Sequence, residues 1–318
     1  MKQRPISASI GHTPVMLKEV LEYLAPQDDA VYVDATFGAG GYSEAILNAA
    51  NCSVYGLDRD GDVEPYANAL KLKYGSRFTF IRSAFAELGK VAENHKLKKL
   101  DGVVFDVGVS SMQLGLADRG FSFARNGALD MRMDDRSDFT ASDLINHYSE
   151  RDLANIIFNY GGERKSYKIA EAIVSKRKVQ AIETTTELAD IITRAVGRYH
   201  DTIHPATRTF QAIRIAVNDE MQQLNKALEE AHRLLNFGGK IVVVTFHSLE
   251  DKIVKDCFTQ LCGKRIHQNR YAPKSEPNAE SEAKFALVLK GVAQPTRQEV
   301  KNNPKARSAK LRAIERVA

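Results

Sequence analysis

The first third of the chain alternates short apolar runs with amphipathic stretches. Residues 15–24 carry Val15, Leu17, Val20, Leu21 and Leu24 near helical spacing. Four β-branched or apolar runs follow, at 30–35 (AVYVDA), 53–57 (SVYGL), 78–82 (FTFIR) and 103–107 (VVFDV). Helical patterns separate them at 43–50, at 63–74 and in a polar, Lys-rich stretch before Val103; Pro65 suits a first helical turn. Strands alternating with helices at this spacing predict a parallel sheet covered on both faces. From 112 to about 207 the strand pattern stops, and helical stretches stand at 141–148, 150–160, 167–178 and 186–196. This predicts a helical domain, 112–207, inserted into a discontinuous sheet domain made of 1–111 and 208–318.

Alternation resumes after the insertion. One long helix is expected over about 206–235, with Phe210, Ile213, Val217, Met221, Leu224, Leu228 and Leu235 as a single apolar stripe. Asn236-Phe237-Gly238-Gly239 reads as its glycine C-cap. A fifth, buried strand follows at 240–246 (KIVVVTF). Ser248-Leu249-Glu250-Asp251 then reads as a capping box opening a helix to about Leu261, and 283–290 (AKFALVLK) is a late strand. There are no internal repeats.

Composition adds bounds rather than identity. A chain of 318 residues that is 43% hydrophobic and 27% charged is ordinary for a soluble globular protein. No stretch approaches the run of ~18 apolar residues that a membrane span needs. Residues 1–11 are polar, so no secretion signal is expected and the reading is cytoplasmic. Cys52, Cys257 and Cys262 suit a reducing compartment and lack the second pair of a zinc site, so no metal is expected. Cys257 and Cys262 are expected on one helix as small apolar residues. The net charge is +5, and residues 291–318 hold seven basic side chains against two acidic ones. A basic tail on a nearly neutral body points to a polyanionic partner or to a solvated, frayed terminus, and composition leaves both open.

The candidate chemistry begins at the turn after the first strand, Phe37-Gly38-Ala39-Gly40-Gly41-Tyr42. Glycine lets backbone approach a ligand because it has no Cβ. Asp58 ends the second strand twenty residues beyond Gly38, where nucleotide-type folds place an acid on ribose hydroxyls. A dinucleotide fingerprint would need a third Gly at Ser43. Asp34 precedes the turn instead, as in loops that hold adenosylmethionine. Asp106, at the end of the fourth strand, faces the ligand crevice and the acceptor, ahead of the small-residue run Gly108-Val109-Ser110-Ser111.

Several stretches then converge in order: His12-Thr13-Pro14-Val15, residues 34–41 (DATFGAGG), Asp58-Arg59-Asp60, residues 106–111 (DVGVSS), 119–123 (RGFSF), 129–133 (LDMRM), 160–164 (YGGER), 204–211 (HPATRTFQ), 246–251 (FHSLED) and 303–308 (NPKARS). The chain closely resembles the RsmH (MraW) family of bacterial 16S ribosomal RNA cytosine-N4 methyltransferases from about His12 to Glu315. The resemblance implies a Rossmann-like class I methyltransferase sheet, mostly parallel with a late antiparallel strand, and an inserted all-helical substrate-recognition domain. It implies S-adenosylmethionine as cofactor, held by Gly40, Gly41, Tyr42, Asp58, Phe85, Asp106 and Gln113. Tyr42 departs from the family's usual His. The implied partner is 16S rRNA in the small ribosomal subunit; no membrane is implied, and a homodimer is left open.

Asp106 is the candidate catalytic residue, able with nearby carbonyls to accept hydrogen bonds from the cytosine amine. The RNA-contact candidates are Arg132, Arg164, Lys165, Arg208 and His247, with Lys168, Lys176, Arg177 and Lys178 extending a basic face. His247 reads equally as a satisfied histidine before a capped helix, and Arg208 as half of a structural ion pair. Phe121, Phe123 and Tyr167 are stacking candidates or core. Two other functions stay open: an RNA-binding assembly factor with vestigial catalysis, and another nucleotide-cofactor enzyme.

Overall fold

The computed structural model describes residues 14–197, 203–263 and 283–318. His12 and Thr13, which begin the first motif, lie outside them. The chain divides into two compact units, Met1–Gly108 with Met221–Ala318, and Val109–Glu220.

The first unit is built on a seven-stranded sheet in the order β3-β2-β1-β4-β5-β7-β6. The strands are β1 Val31–Asp34, β2 Ser53–Asp58, β3 Phe78–Arg82, β4 Leu100–Asp106, β5 Leu235–Thr245, β6 Phe285–Leu287 and β7 Lys310–Arg316. Strands β1 to β5 pair in parallel, whereas β7 is antiparallel to both β5 and β6. Val103, Val104 and Phe105 of β4 and Ile241, Val242, Val243 and Val244 of β5 are fully buried, as central strands covered on both faces require. The strand order reverses between β1 and β4, so the carboxyl ends of these two strands, at Asp34 and Asp106, flank the sheet's switch point.

Helices α1 (Leu17–Leu24), α2 (Gly41–Ala49), α3 (Glu64–Tyr74) and α4 (Leu88–Asn94) alternate with β1 to β4. The second unit is helical: α5 (Ser111–Gly115), α6 (Ala141–His147), α7 (Glu150–Gly161), α8 (Ser166–Arg177), α9 (Thr185–Val196) and α10 (Thr207–Asn218). Thr140, Ser149 and Thr184 cap α6, α7 and α9 by accepting the third backbone N–H, which is why these helices start where they do. Their apolar faces meet in one core that includes Leu144, Leu153, Ile157, Ile169, Ile173, Leu188, Ile192 and Ile213. The sheet unit resumes with α11 (Glu220–Leu234), α12 (Ser248–Leu261) and α13 (Arg297–Asn302).

Four expectations change. The long helix over 206–235 is two helices, broken at Asp219, whose φ of 49° is left-handed. Asn218 fixes the break: its amide donates to the Met131 carbonyl at 2.7 Å and its carbonyl accepts from Met133 N–H at 2.8 Å. The apolar stripe therefore serves two cores, Phe210 and Ile213 in the helical unit and Leu224 and Leu228 in the sheet unit. The helical unit accordingly runs to Glu220, taking in α10, which was expected in the sheet domain beyond 207. Second, residues 235–239 do not cap a helix. They open β5, with a register shift where Leu235 and Lys240 pair with Leu100 and Gly102. Third, of the two readings left open for the basic C-terminus, the frayed one fails. The terminus forms β7, with Leu311, Ala313 and Ile314 buried and Lys310 and Arg312 both bonded to Asp251. Fourth, α12 is capped by His247 rather than Ser248. Of the cysteines, Cys257 lies in α12 and packs on the sheet core, and burial pushes its thiol up to about 11; Cys262 lies just past that helix.

Candidate active site

The turn after β1 is held by protein groups at nearly every position. Asp34 is fully buried, and its Oδ2 accepts from both the backbone N–H (3.1 Å) and the hydroxyl (2.8 Å) of Ser43. Its Oδ1 accepts from Thr36 N–H at 3.3 Å. Ser43, read from sequence as a missing third glycine, is thus the tether that ties α2 back to β1. Burial pushes the Asp34 pKa up to about 6, against those hydrogen bonds.

The glycines divide by what faces them. A Cβ on Gly40, where φ is 80°, would meet the Phe37 ring at 2.9 Å, and one on Gly41 would meet Pro14 Cγ at 2.2 Å. Protein, not ligand, fills those spaces. Gly38, with φ of 52°, has only the Thr36 carbonyl at 3.9 Å and is the open glycine of the turn. Tyr42 is buried, and its hydroxyl donates to the Val15 carbonyl, so its polar atom is committed to the protein. Burial pushes its pKa well above the ordinary tyrosine value.

Asp58, at the end of β2, accepts from Gly38 N–H at 2.8 Å and from Asp60 N–H at 3.0 Å, one bond per carboxylate oxygen. Each oxygen keeps a further lone pair for a hydroxyl. Burial raises its pKa, opposed by these two bonds. Phe85 follows β3 and meets Phe105 edge-on at 6.1 Å between ring centres. Asp106 ends β4; its N–H donates to Thr36 Oγ1 at 2.6 Å, while its Oδ1 is buried with no hydrogen-bond partner. Burial, then the charges of Asp34 and Glu250, push its pKa up to about 8. This edge therefore gathers three carboxyl groups, all with pKa values raised by burial, around an open glycine. It suits a ligand carrying hydroxyls and a positive charge.

His247 lies just beyond the carboxyl end of β5. Its Nδ1 accepts from Glu250 N–H at 3.4 Å, and its Nε2 lies 2.7 Å from Glu250 Oε1. His247 is thus itself the cap of α12, where the sequence reading places it ahead of a helix capped by Ser248.

The remaining candidates belong to the helical unit. Gln113 is mostly buried and is the third residue of a capping box, its side-chain carbonyl accepting from Ser110 N–H at 2.9 Å. Arg132 is bound by both oxygens of Asp130 and donates to the Ser137 carbonyl. Lys165 donates to the Val196 carbonyl at 2.7 Å, at the end of α9. Arg177 likewise donates to the carbonyls of Ile145 and Tyr148, and Lys176 lies 3.6 Å from Glu187. Arg208 lies 3.9 Å from buried Glu163. Arg164, Lys168 and Lys178 are exposed. Phe121 is buried, Phe123 packs edge-on against Phe210 at 4.9 Å, and Tyr167 is 61% exposed, leaving it the one of these three that can stack on a ligand. The candidate set left out Asp34, Ser43 and Gly38. The signals available for them were an acid ahead of the turn and a glycine twenty residues before Asp58.

A family model described as the MraW methylase family matches residues 9–317. A protein of Wolbachia sp. subsp. Drosophila simulans named "Ribosomal RNA small subunit methyltransferase H" is 49% identical over 307 residues, covering 96% of this chain and 99% of that one. A protein of the same name from Ehrlichia canis is 51% identical over 305 residues, covering 95% and 99%. Among solved structures, one titled as a putative rRNA-methylase from Clostridium thermocellum resembles the chain at 13% identity and a TM-score of 0.44, covering 96% and 99%. No helix among the described residues is long and apolar enough to cross a membrane.

Proposed function

The chain belongs to the MraW methylase family, and on that premise we propose that it transfers a methyl group from S-adenosylmethionine to N4 of a cytidine in the decoding region of 16S rRNA, in the cytoplasm. The observation that carries the site assignment is Asp106: a buried carboxyl with an unpartnered oxygen at the switch point of the sheet.

The residues at this edge fit the cofactor. When bound, it supplies an electrophilic methyl on a sulfonium. Asp58 would hold the ribose hydroxyls and Phe85 the adenine, and Gly38, Gly40, Gly41 and Tyr42 would offer backbone along the turn. The Tyr42 side chain is not needed, which accounts for a Tyr where the family has His. The helical unit is assigned to substrate recognition, with Arg164 and Arg208 as its RNA contacts. Arg132 and Lys165, bound to other protein groups, support that unit's fold.

The exocyclic amine of cytosine is a weak nucleophile because its lone pair is delocalised into the ring. Asp106 Oδ1 accepts a hydrogen bond from that amine, which localises the lone pair and stabilises the developing positive charge. Asp106 Oδ1, buried and without a hydrogen-bond partner, would be placed to take the proton that the amine gives up on methylation. A carboxyl whose pKa lies near neutrality is suited to that exchange. Nothing in this scheme requires a second copy of the chain.

The test is methyl transfer from labelled S-adenosylmethionine to small subunits lacking the modification, followed by nucleoside analysis. N4-methylcytidine is the expected product, and its absence overturns the proposal. Naked 16S rRNA in a parallel reaction separates an assembled-subunit substrate, which we expect, from free RNA.

A further inference from the structure

A cavity of about 300 Å³ opens at the carboxyl end of β5, lined by Phe246, His247, Ser248, Arg307, Ser308 and Lys310 among others. It belongs to the same sheet edge as Asp106. Asp106 pairs with Val244 of β5, and Lys310 of β7 pairs with Thr245 on the other side of that strand. The Phe246 ring also lies 3.4 Å from where a Cβ on Gly108 would stand, beside the exit of β4.

The lining is chemically one-sided. Arg307 is exposed, and no carboxylate partner is found for it among the described residues. Lys310 and Arg312 share a single acid, Asp251, at 3.0 and 2.8 Å. The other acid of the first α12 turn, Glu250, is fully buried, with Oε2 accepting from the N–H groups of Phe246 and His247. The lining itself thus holds the cations Arg307 and Lys310 and no carboxylate, and the two acids next to it are already engaged. Ser248 and Ser308 add hydroxyls. The first N–H groups of α12 add donors that the helix itself cannot satisfy.

We propose that this cavity is a phosphate subsite, which holds a phosphodiester of the RNA strand carrying the target base. The proposal rests on the RNA-methylating function above and names a contact for it in the sheet unit. Arg307 makes the principal contact, as a planar fork matched to phosphate oxygens.

The full-length Arg307→Gln protein tests it, with Arg307→Lys as the conservative variant. Steady-state transfer to unmodified subunits, calorimetry with S-adenosylmethionine, and the salt dependence of subunit binding are measured for each. For Arg307→Gln we expect a subunit KM raised about tenfold, kcat within about twofold, unchanged cofactor affinity, and a log–log salt slope smaller by about one. Arg307→Lys should recover part of the KM loss. A wild-type KM and salt slope in Arg307→Gln overturn the proposal. So does millimolar inorganic phosphate binding that disappears in Arg307→Gln while subunit KM stays unchanged, since that marks a free-anion site. If the wild-type protein methylates no subunit, the functional reading has failed instead, and that result is distinguishable from either.

Discussion

Two strand-to-helix turns leave the same edge of the sheet with opposite chemistry. The turn from β1 into α2 is surrounded by Asp34, Asp58 and Asp106, with burial pushing the first up to about 6 and the last to about 8. The turn from β5 into α12 faces Arg307 and Lys310; of its own acids, Glu250 is bonded inward and Asp251 is held by Lys310 and Arg312. Both use a side chain to hold the helix start: Ser43 bonded to Asp34 in the first, His247 with Glu250 in the second. Shared backbone architecture has therefore been given opposite charge. On the proposed function, the acidic turn serves the cationic methyl donor and the basic turn the polyanionic acceptor.

The strongest way to break this contrast is at Asp106. Asp106→Asn keeps the shape but removes the charge and the proton acceptor, so kcat should fall about 10²- to 10³-fold in the labelled-methyl assay. A rate within tenfold of wild type would remove Asp106 from the chemistry.

The next largest effect is on pH. Without ligand, Asp106 holds its proton up to about pH 8, and a neighbouring sulfonium favours the ionised form. Affinity for S-adenosylmethionine should therefore rise by up to about tenfold per pH unit approaching 8, then level off, with proton release visible by calorimetry in buffers of different ionisation heat. S-adenosylhomocysteine, a neutral thioether, should show a flatter profile. The stability of the ligand-free protein runs the other way. Between the ordinary carboxylate pKa and about 8 the folded state holds a proton that the unfolded state has lost. Thermal unfolding should therefore become easier as pH rises through that window.

The smallest expected effect sharpens the contrast by exclusion. Tyr42→Phe removes the bond to the Val15 carbonyl and should cost about 1 kcal/mol of stability by denaturant titration, leaving cofactor affinity within about twofold. A tenfold loss of affinity would mean that the hydroxyl serves the ligand.

Much of the sheet was legible because central parallel strands must be apolar throughout and their turns must be polar. Residues 78–82 coincide with β3, and Asp34, Asp58 and Asp106 stand at the carboxyl ends of β1, β2 and β4. What could not be read depended on partners distant in sequence. The stripe from Phe210 to Leu228 keeps helical period across Asp219, and nothing local reveals that it turns from one core to another. The charges of β7 masked its strand, because Lys310 and Arg312 look solvated until Asp251, 59 and 61 residues away, is brought beside them. At the site, position along the strands reveals the carboxylates, whereas the role of Ser43 depends on Asp34, nine residues away, and does not show beside the glycine it replaces. Likewise Arg132 and Lys165 resembled free cations until Asp130 and the Val196 carbonyl were seen to hold them.

The division of charge along this edge is tested most directly by crossing two variants with two ligands. Cofactor affinity and subunit KM are measured for Asp106→Asn and Arg307→Gln under identical salt and pH. Asp106→Asn should lose the preference for S-adenosylmethionine over S-adenosylhomocysteine and keep its subunit KM, while Arg307→Gln should do the reverse. If each variant weakens both ligands by the same factor, the two turns do not divide the work and the account is contradicted.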